Sequence, residues 1–123
     1  MAKVDLLPRK EFTITLDSGE VIKGKYSLWA AKRFCDKKKL TLVNLFERLS
    51  EENMTFDDLI ENILCAVEHC QKEEGLPFKY NDMDVCSWIE EMGGIGSEDY
   101  MKLSGHAFSE LEEEKKSEVN QEN

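Results

Sequence analysis

The first pattern along the chain is an alternation of apolar and polar residues near the N-terminus. Phe12, Ile14 and Leu16 are separated by single residues, the two-residue period of a strand with one buried face. An Asp-Ser-Gly turn follows, in which Gly19 can adopt a positive φ, and extended sequence resumes over residues 21–26. We therefore predict a β-hairpin. Because an isolated hairpin is marginally stable in water, it must pack on helices or join another chain's sheet.

From residue 27 the spacing changes to the three- and four-residue intervals of helices. Ser27 is a suitable N-cap for a first helix over residues 28–38. Its predicted apolar stripe consists of Leu28, Ala31 and Cys35. A second helix is predicted from residues 40–41 to about residue 50, because its apolar residues recur at positions i, i+3, i+4 and i+7. These residues are Leu42, Leu45, Phe46 and Leu49.

The third and fourth helices have clear start and stop signals. Thr55 is an N-cap with Asp58 three residues later, and Asn81 and Asp84 repeat this arrangement before the fourth helix. Gly75 is placed to end the third helix in the left-handed conformation. The two apolar stripes are Phe56, Leu59, Ile60, Ile63, Leu64 and Val67, followed by Val85, Trp88, Ile89 and Met92.

The C-terminal part of the chain is less regular. A fifth helix is predicted to start at Ser97 and to carry Tyr100, Leu103, Ala107 and Leu111. Residues 110–123 hold two apolar residues among charged and amide side chains, a composition typical of a disordered tail.

These elements predict a mainly α fold with a minor β part. An N-terminal β-hairpin is expected to pack on a bundle of four to five short amphipathic helices. We expect residues 1–10 to be an irregular lead-in, residues 11–109 to form a single domain, and residues 110–123 to be an acidic disordered tail.

Charge is unevenly distributed along the 123 residues, whose net charge is −10. Residues 1–40 carry a net charge of +5, and residues 41–123 carry −15. A strongly acidic helical region repels phosphates, so we expect no binding to nucleic acid. A basic cluster on the first helix is interpreted as a solvated helix face. It consists of Lys32, Arg33, Lys37, Lys38 and Lys39.

The N-terminus has no long apolar segment of the kind found in signal peptides, and the chain has no apolar run long enough to span a bilayer. We therefore expect a cytoplasmic protein that does not bind membranes. Reactive sites are not evident either. The cysteines form no Cys-x-x-Cys pair, and adjacent His69 and Cys70 would point to different sides of a helix, unlike a catalytic Cys–His pair.

We accordingly expect no catalytic, cofactor-binding or metal-binding residues, and no enzymatic activity. The cysteines are expected to be small, mostly buried thiols. They are Cys35, Cys65, Cys70 and Cys86.

Several segments, taken in order, resemble a known protein family. They are a Gly-Lys-Tyr element at 24–26, Leu-Val-Asn-Leu-Phe at 42–46, the long helix at 58–67, Leu-Pro at 76–77 and the acidic helix at 85–92. Over residues 11–92 the chain resembles the tail assembly chaperones of long-tailed bacteriophages and their prophages. Residues after Gly93 lie outside this resemblance.

The resemblance implies a protein that binds the long, aggregation-prone tape measure protein and keeps it soluble while tail tube subunits assemble around it. Such a chaperone acts in the bacterial host cytoplasm and is absent from the mature virion. A second, frameshifted form is common in the family, and self-association through the hairpin is possible. Six apolar residues are hypothesised to bind the partner by shaping the core or a groove. They are Leu42, Phe46, Leu59, Ile63, Trp88 and Ile89.

Two other kinds of function stay open from the residues alone. The acidic composition also permits a DNA mimic that inhibits a nucleic-acid-binding protein, although such a mimic needs carboxylates spaced like phosphates along one face. A small acidic adaptor that binds other proteins is the remaining alternative, and sequence cannot distinguish it from the chaperone. An enzyme is ranked last, because no constellation supports one.

Overall fold

A small antiparallel sheet forms the N-terminal part of the computed structural model, which describes residues 1–48 and 53–106. Its strands, in the spatial order β1-β2-β3, are β1 (Lys3–Leu6), β2 (Glu11–Thr15) and β3 (Val21–Lys25). The predicted hairpin is confirmed as β2 and β3, in which Ile14 lies opposite Ile22. Gly19 has a φ of +93° in the turn, as the sequence predicted.

The prediction of an irregular lead-in over residues 1–10 was wrong. Residues 3–6 form β1, which extends the predicted hairpin to a three-stranded sheet. Val4 lies opposite Ile14, and both side chains are buried. A four-residue strand with one buried side chain is too short to show a two-residue period. Its conformation depends on the neighbouring strand, which supplies its hydrogen-bond partners.

The turn between β1 and β2 has an unusual backbone. Arg9 and Lys10 both have positive φ, 62° and 68°. The Glu11 N–H donates to the Pro8 carbonyl at 3.4 Å, so the two residues occupy the central positions of a tight hairpin turn. Positive φ at both central positions is the geometry that Asn-Gly favours. Arg9 and Lys10 therefore adopt a left-handed backbone conformation, which is unfavourable for residues that carry a Cβ atom.

The outer edge of β1 is covered by the C-terminal helices. The Ala2 N–H donates to the Glu91 carbonyl at 2.8 Å, and the Val4 N–H donates to Asp99 Oδ1 at 3.0 Å. A strand from another protein would have to displace both bonds to pair here. The sequence had left open that the hairpin joins another chain's sheet, but the outer edge of β2 pairs with β1, and the Ala2 and Val4 N–H donors are satisfied within the chain.

The helices follow the predicted order, and the predicted fold class is confirmed. They are α1 (Leu28–Lys38), α2 (Leu42–Arg48), α3 (Phe56–Glu73), α4 (Asp82–Glu91) and the helical residues 98–106, here called α5. Ala107, Leu111 and the tail predicted over residues 110–123 lie outside the described residues.

The predicted helix caps are present. Thr55 and Asp58 form a reciprocal capping box at α3, and Asn81 and Asp84 form another at α4. Gly75 has a φ of +72° at the end of α3. These caps are local interactions between residues three or four apart, which is why the sequence was sufficient to predict them.

The larger of two apolar clusters lies between the sheet, α3 and α4. Phe12 is fully buried, and its ring lies over Gly24 of the next strand, so the glycine of the Gly-Lys-Tyr element leaves room for an aromatic ring. This cluster consists of Ala2, Val4, Phe12, Ile14, Ile22, Tyr26, Leu59, Ile60, Ile63, Leu64, Ala66, Val67, Val85, Trp88, Ile89, Met92 and Leu103.

The smaller cluster joins α1, α2 and α3 and consists of Ala30, Phe34, Leu45 and Cys65. The predicted stripe of α1 was right in part, because Ala31 and Cys35 are half-buried and pack against this cluster, and it was wrong for Leu28. Leu28 is 66% exposed, whereas Ala30 and Phe34 are buried. Both faces of α1 carry apolar residues, so periodicity alone could not decide which face contacts α3.

Candidate partner-binding surface

Four of the six residues hypothesised to bind a partner lie in the larger cluster. Leu59 and Ile63 project from α3, and Trp88 and Ile89 project from α4. None is more than 4% exposed. They shape the core, as one half of the hypothesis stated, but in this conformation they present no surface to another protein.

The other two residues lie on α2 and form part of an exposed apolar face. Leu42 is 41% exposed, and Phe46, one turn later, is half-buried. Val43 is 71% exposed and lies three residues before Phe46, so it is a neighbour of Phe46 on the helix surface. These three side chains, Leu42, Val43 and Phe46, are called the α2 face below.

The helical stripe of Leu42, Leu45, Phe46 and Leu49 does not include Val43. The position of Val43 two residues before Leu45 was the available signal, since side chains two residues apart lie on opposite sides of a helix. The seven residues of α2 therefore carry apolar side chains on two sides: Leu45 faces the core, and Val43 faces solvent.

The orientation of the α2 face is set by one buried side chain and an N-terminal cap. Leu45 is fully buried, and it contacts the α1 and α3 residues of the smaller cluster. Thr41 is the N-cap, because its Oγ1 accepts a hydrogen bond from the Asn44 N–H at 3.2 Å. With Leu45 turned inward, Val43 must point outward.

The C-terminal end of α2 is tied to the start of α3 through Asp58, whose side chain is fully buried. Arg48 Nε donates to Asp58 Oδ2 at 2.8 Å, and Lys38 Nζ lies 3.6 Å from Oδ1. The same carboxylate accepts the Thr55 N–H at 3.3 Å. Burial raises the pKa of Asp58, but the hydrogen bonds from Arg48 and Thr55 outweigh burial and leave that pKa below its ordinary value.

The basic residues of α1 are largely paired with the acidic residues of α3. Their interpretation as a solvated face was therefore wrong for Arg33, Lys37 and Lys38. Cations paired inside the protein are less available to phosphates, which is consistent with the expectation of no nucleic-acid binding. The inter-helix pairs are Arg33–Glu68 at 3.2 Å, Lys37–Glu61 at 2.7 Å and Lys38–Asp57.

His69 has partners that the sequence did not suggest. Its Nδ1 lies 2.9 Å from Ser27 Oγ, and its Nε2 lies 2.8 Å from Glu73 Oε1. Serine, histidine and carboxylate thus occur in the order of a hydrolase triad. However, Ser27 Oγ also accepts the Ala30 N–H at 3.0 Å as the N-cap of α1. Ser27 thus serves as a helix cap, and His69 Nε2, although close to Glu73, has no hydrogen-bond partner of suitable geometry among the described residues, so the three side chains do not form a catalytic relay.

Other kinds of site are not apparent in the described ranges. Over residues 1–48 and 53–106, no group of three or more histidine, cysteine and acidic side chains is arranged to hold a metal ion. Nor does any helix in these ranges combine the length and apolar content needed to cross a membrane. The four cysteines are free thiols; Cys65 is buried, and the other three are partly exposed.

No family model matches the chain, and no curated protein or solved structure matches it.

Proposed function

We propose that the protein is a tail assembly chaperone of a long-tailed bacteriophage or prophage. It binds the tape measure protein, keeps it soluble in the host cytoplasm, helps to recruit tail tube subunits and is absent from the finished virion. The observation that carries the proposal is the α2 face, in which Val43 is 71% exposed beside Leu42 and Phe46. An exposed apolar group on a short helix is suited to weak contacts with a long helical client.

The charge of the chain supports the same role. A net charge of −10 gives repulsion between particles that are coated with this protein, which opposes their aggregation. The α2 face supplies the attraction to the client, and the acidic surface keeps the complex dispersed.

The DNA-mimic alternative is less well supported. Glu61 and Glu68 of α3 are engaged by Lys37 and Arg33 of α1. Carboxylates that already have cationic partners are poor substitutes for the free phosphates of DNA. A general protein-binding adaptor would use the same α2 face as a chaperone and would differ from it in the protein that it binds.

Co-expression with the tape measure protein encoded in the same phage or prophage genome tests the proposal. The wild-type chain should increase the soluble fraction of the client and be recovered with it on an affinity column. The double variant Leu42→Asp and Val43→Asp should lose most of both effects, because it places two charges in the apolar contact.

Met83→Asp is a matched control. Met83 is 77% exposed in the first turn of α4, so the substitution introduces one charge at an exposure comparable to that of Val43, away from α2, and it is compared with the single variant Val43→Asp. It should retain wild-type solubilisation. Circular dichroism checks that all variants are folded. If the wild-type chain neither enriches nor solubilises the client, the proposal is wrong. If Met83→Asp loses solubilisation of the client to the same extent, the α2 face is not the binding surface.

A further inference from the structure

The attachment of α2 to the rest of the molecule is slight. Among its seven residues, Leu45 is the one fully buried side chain, whereas α3 buries ten residues. Besides Leu45, the described contacts of α2 include the bond from Arg48 to Asp58 of α3 and a bond from the Asn53 side chain to the Glu47 carbonyl at 3.1 Å. A seven-residue helix is too short to be stable by itself, so it persists through these contacts.

Losing those contacts would leave the rest of the fold supported. Leu45 belongs to the smaller cluster, and the larger cluster between sheet, α3 and α4 does not include it. Asp58 would keep Lys38 nearby and would still cap α3 together with Thr55. The ion pairs that join α1 to α3 do not involve α2.

We propose that α2 is a displaceable helix, which opens as a unit while the sheet, α1, α3 and α4 stay folded. Proteins open in such cooperative units when one element has few buried contacts. The open form adds Leu45 and the Phe34 ring to the apolar groups that the α2 face presents, so a partner would find a larger apolar surface. This inference goes beyond the proposed function and holds whichever client the protein has.

Native-state hydrogen exchange of the full chain tests the inference. Exchange of backbone amides is followed under conditions where the exchange rate rises tenfold per pH unit. This dependence shows that the rate reports the equilibrium of local opening. In the wild-type protein the amides of α2 should be at least tenfold less protected than those of residues 63–67 in α3. Low concentrations of urea should accelerate α3 exchange and leave α2 exchange almost unchanged, because a small local opening exposes little surface.

A matched pair of leucine truncations supplies the sharper measurement. Leu45→Ala should accelerate exchange in α2, because its buried anchor is shortened. Leu103→Ala removes an equally buried leucine from the larger cluster, which stays packed when α2 opens. It should accelerate α3 exchange at least tenfold while α2 exchange stays within twofold of the wild-type rate.

If α2 opens only when the whole protein unfolds, Leu103→Ala will accelerate α2 and α3 exchange by the same factor, and the inference is wrong. Equal protection of α2 and α3 in the wild-type protein would also overturn it. Should Leu103→Ala fail to fold, Val85→Ala provides a milder truncation in the same cluster, with the same two outcomes.

Discussion

Replacing Gly24 by alanine should test the packing of the sheet most directly. A Cβ at this position would lie 2.6 and 2.7 Å from Phe12 Cε1 and Cε2, and closer still to Cζ. Real Cβ atoms essentially never approach other heavy atoms this closely. The Phe12 ring is fully buried and lies 5.0 Å from the Tyr26 ring, centroid to centroid. It cannot move aside without disturbing the core.

The loss of stability expected for Gly24→Ala lies between the costs of two known kinds of core change. Overpacking a core by a methyl group typically costs about 1–3 kcal/mol. Expelling a phenylalanine ring from a core completely costs about 3–5 kcal/mol. Because the overlap involves several ring atoms but the ring stays partly packed, we expect Gly24→Ala to lower the free energy of unfolding by about 3 kcal/mol.

Urea denaturation followed by circular dichroism measures this change, and a second glycine gives a control of opposite sign. Gly105 lies in α5, and within the described residues no atom lies within 4 Å of a Cβ built there, apart from its chain neighbours and the backbone of its own helix. Gly105→Ala should therefore stabilise the protein by about 1 kcal/mol, the difference in helix propensity between the two residues.

A double variant identifies the cause of the effect. Phe12→Leu removes the ring atoms that the new methyl group would meet, so Gly24→Ala should cost less than about 1 kcal/mol in that background. The reasoning is refuted if Gly24→Ala changes stability by less than about 0.5 kcal/mol, a value typical of an ordinary surface substitution. It is also refuted if the cost is the same with and without the Phe12 ring.

Three other changes should alter stability in defined directions. Asp58→Ala should cost about 1.5–3 kcal/mol, because it removes the hydrogen bonds that the buried carboxylate accepts from Arg48 and the Thr55 N–H, whereas Asp57→Ala, at an exposed position, should cost at most about 1 kcal/mol in urea denaturation. Because the folded pKa of Asp58 is below its ordinary value, its contribution is complete above the unfolded pKa of about 3.9 and is lost as pH falls through the folded pKa. Urea midpoints should therefore fall less on acidification in Asp58→Asn than in the wild-type protein, and parallel curves would contradict this. Arg9→Asn with Lys10→Gly should raise the thermal midpoint, by a stabilisation of about 1–2 kcal/mol, because Asn-Gly prefers the positive φ of both positions; an unchanged or lower midpoint would show that the turn is not strained.

The helices could be predicted from the sequence because their signals are local. Ser27, Thr55 and Asn81 each bond to an amide three residues later, so a short window of sequence contains both partners. The same holds for Gly75, which ends α3 through its own backbone freedom. Nothing distant has to be known for these elements to form.

The candidate site could be predicted in part. Leu42 and Phe46 were chosen from the sequence, but the same apolar pattern also selected four core residues. Val43 was not selected, although it is more exposed than Leu42. Spacing says which residues share a helix face, and it does not say whether that face meets another element or solvent.

Tertiary structure alone decided the features that join distant segments. β1 exists because β2 pairs with it, and α1 turns Phe34 rather than Leu28 toward α3. The pairing of basic α1 with acidic α3 likewise joins residues far apart in the chain. The amino-acid sequence by itself determined where α1, α3 and α4 begin and end and that the fold is mainly helical. Which apolar face became core and which stayed exposed was settled by packing, because burial depends on what lies opposite a residue in space.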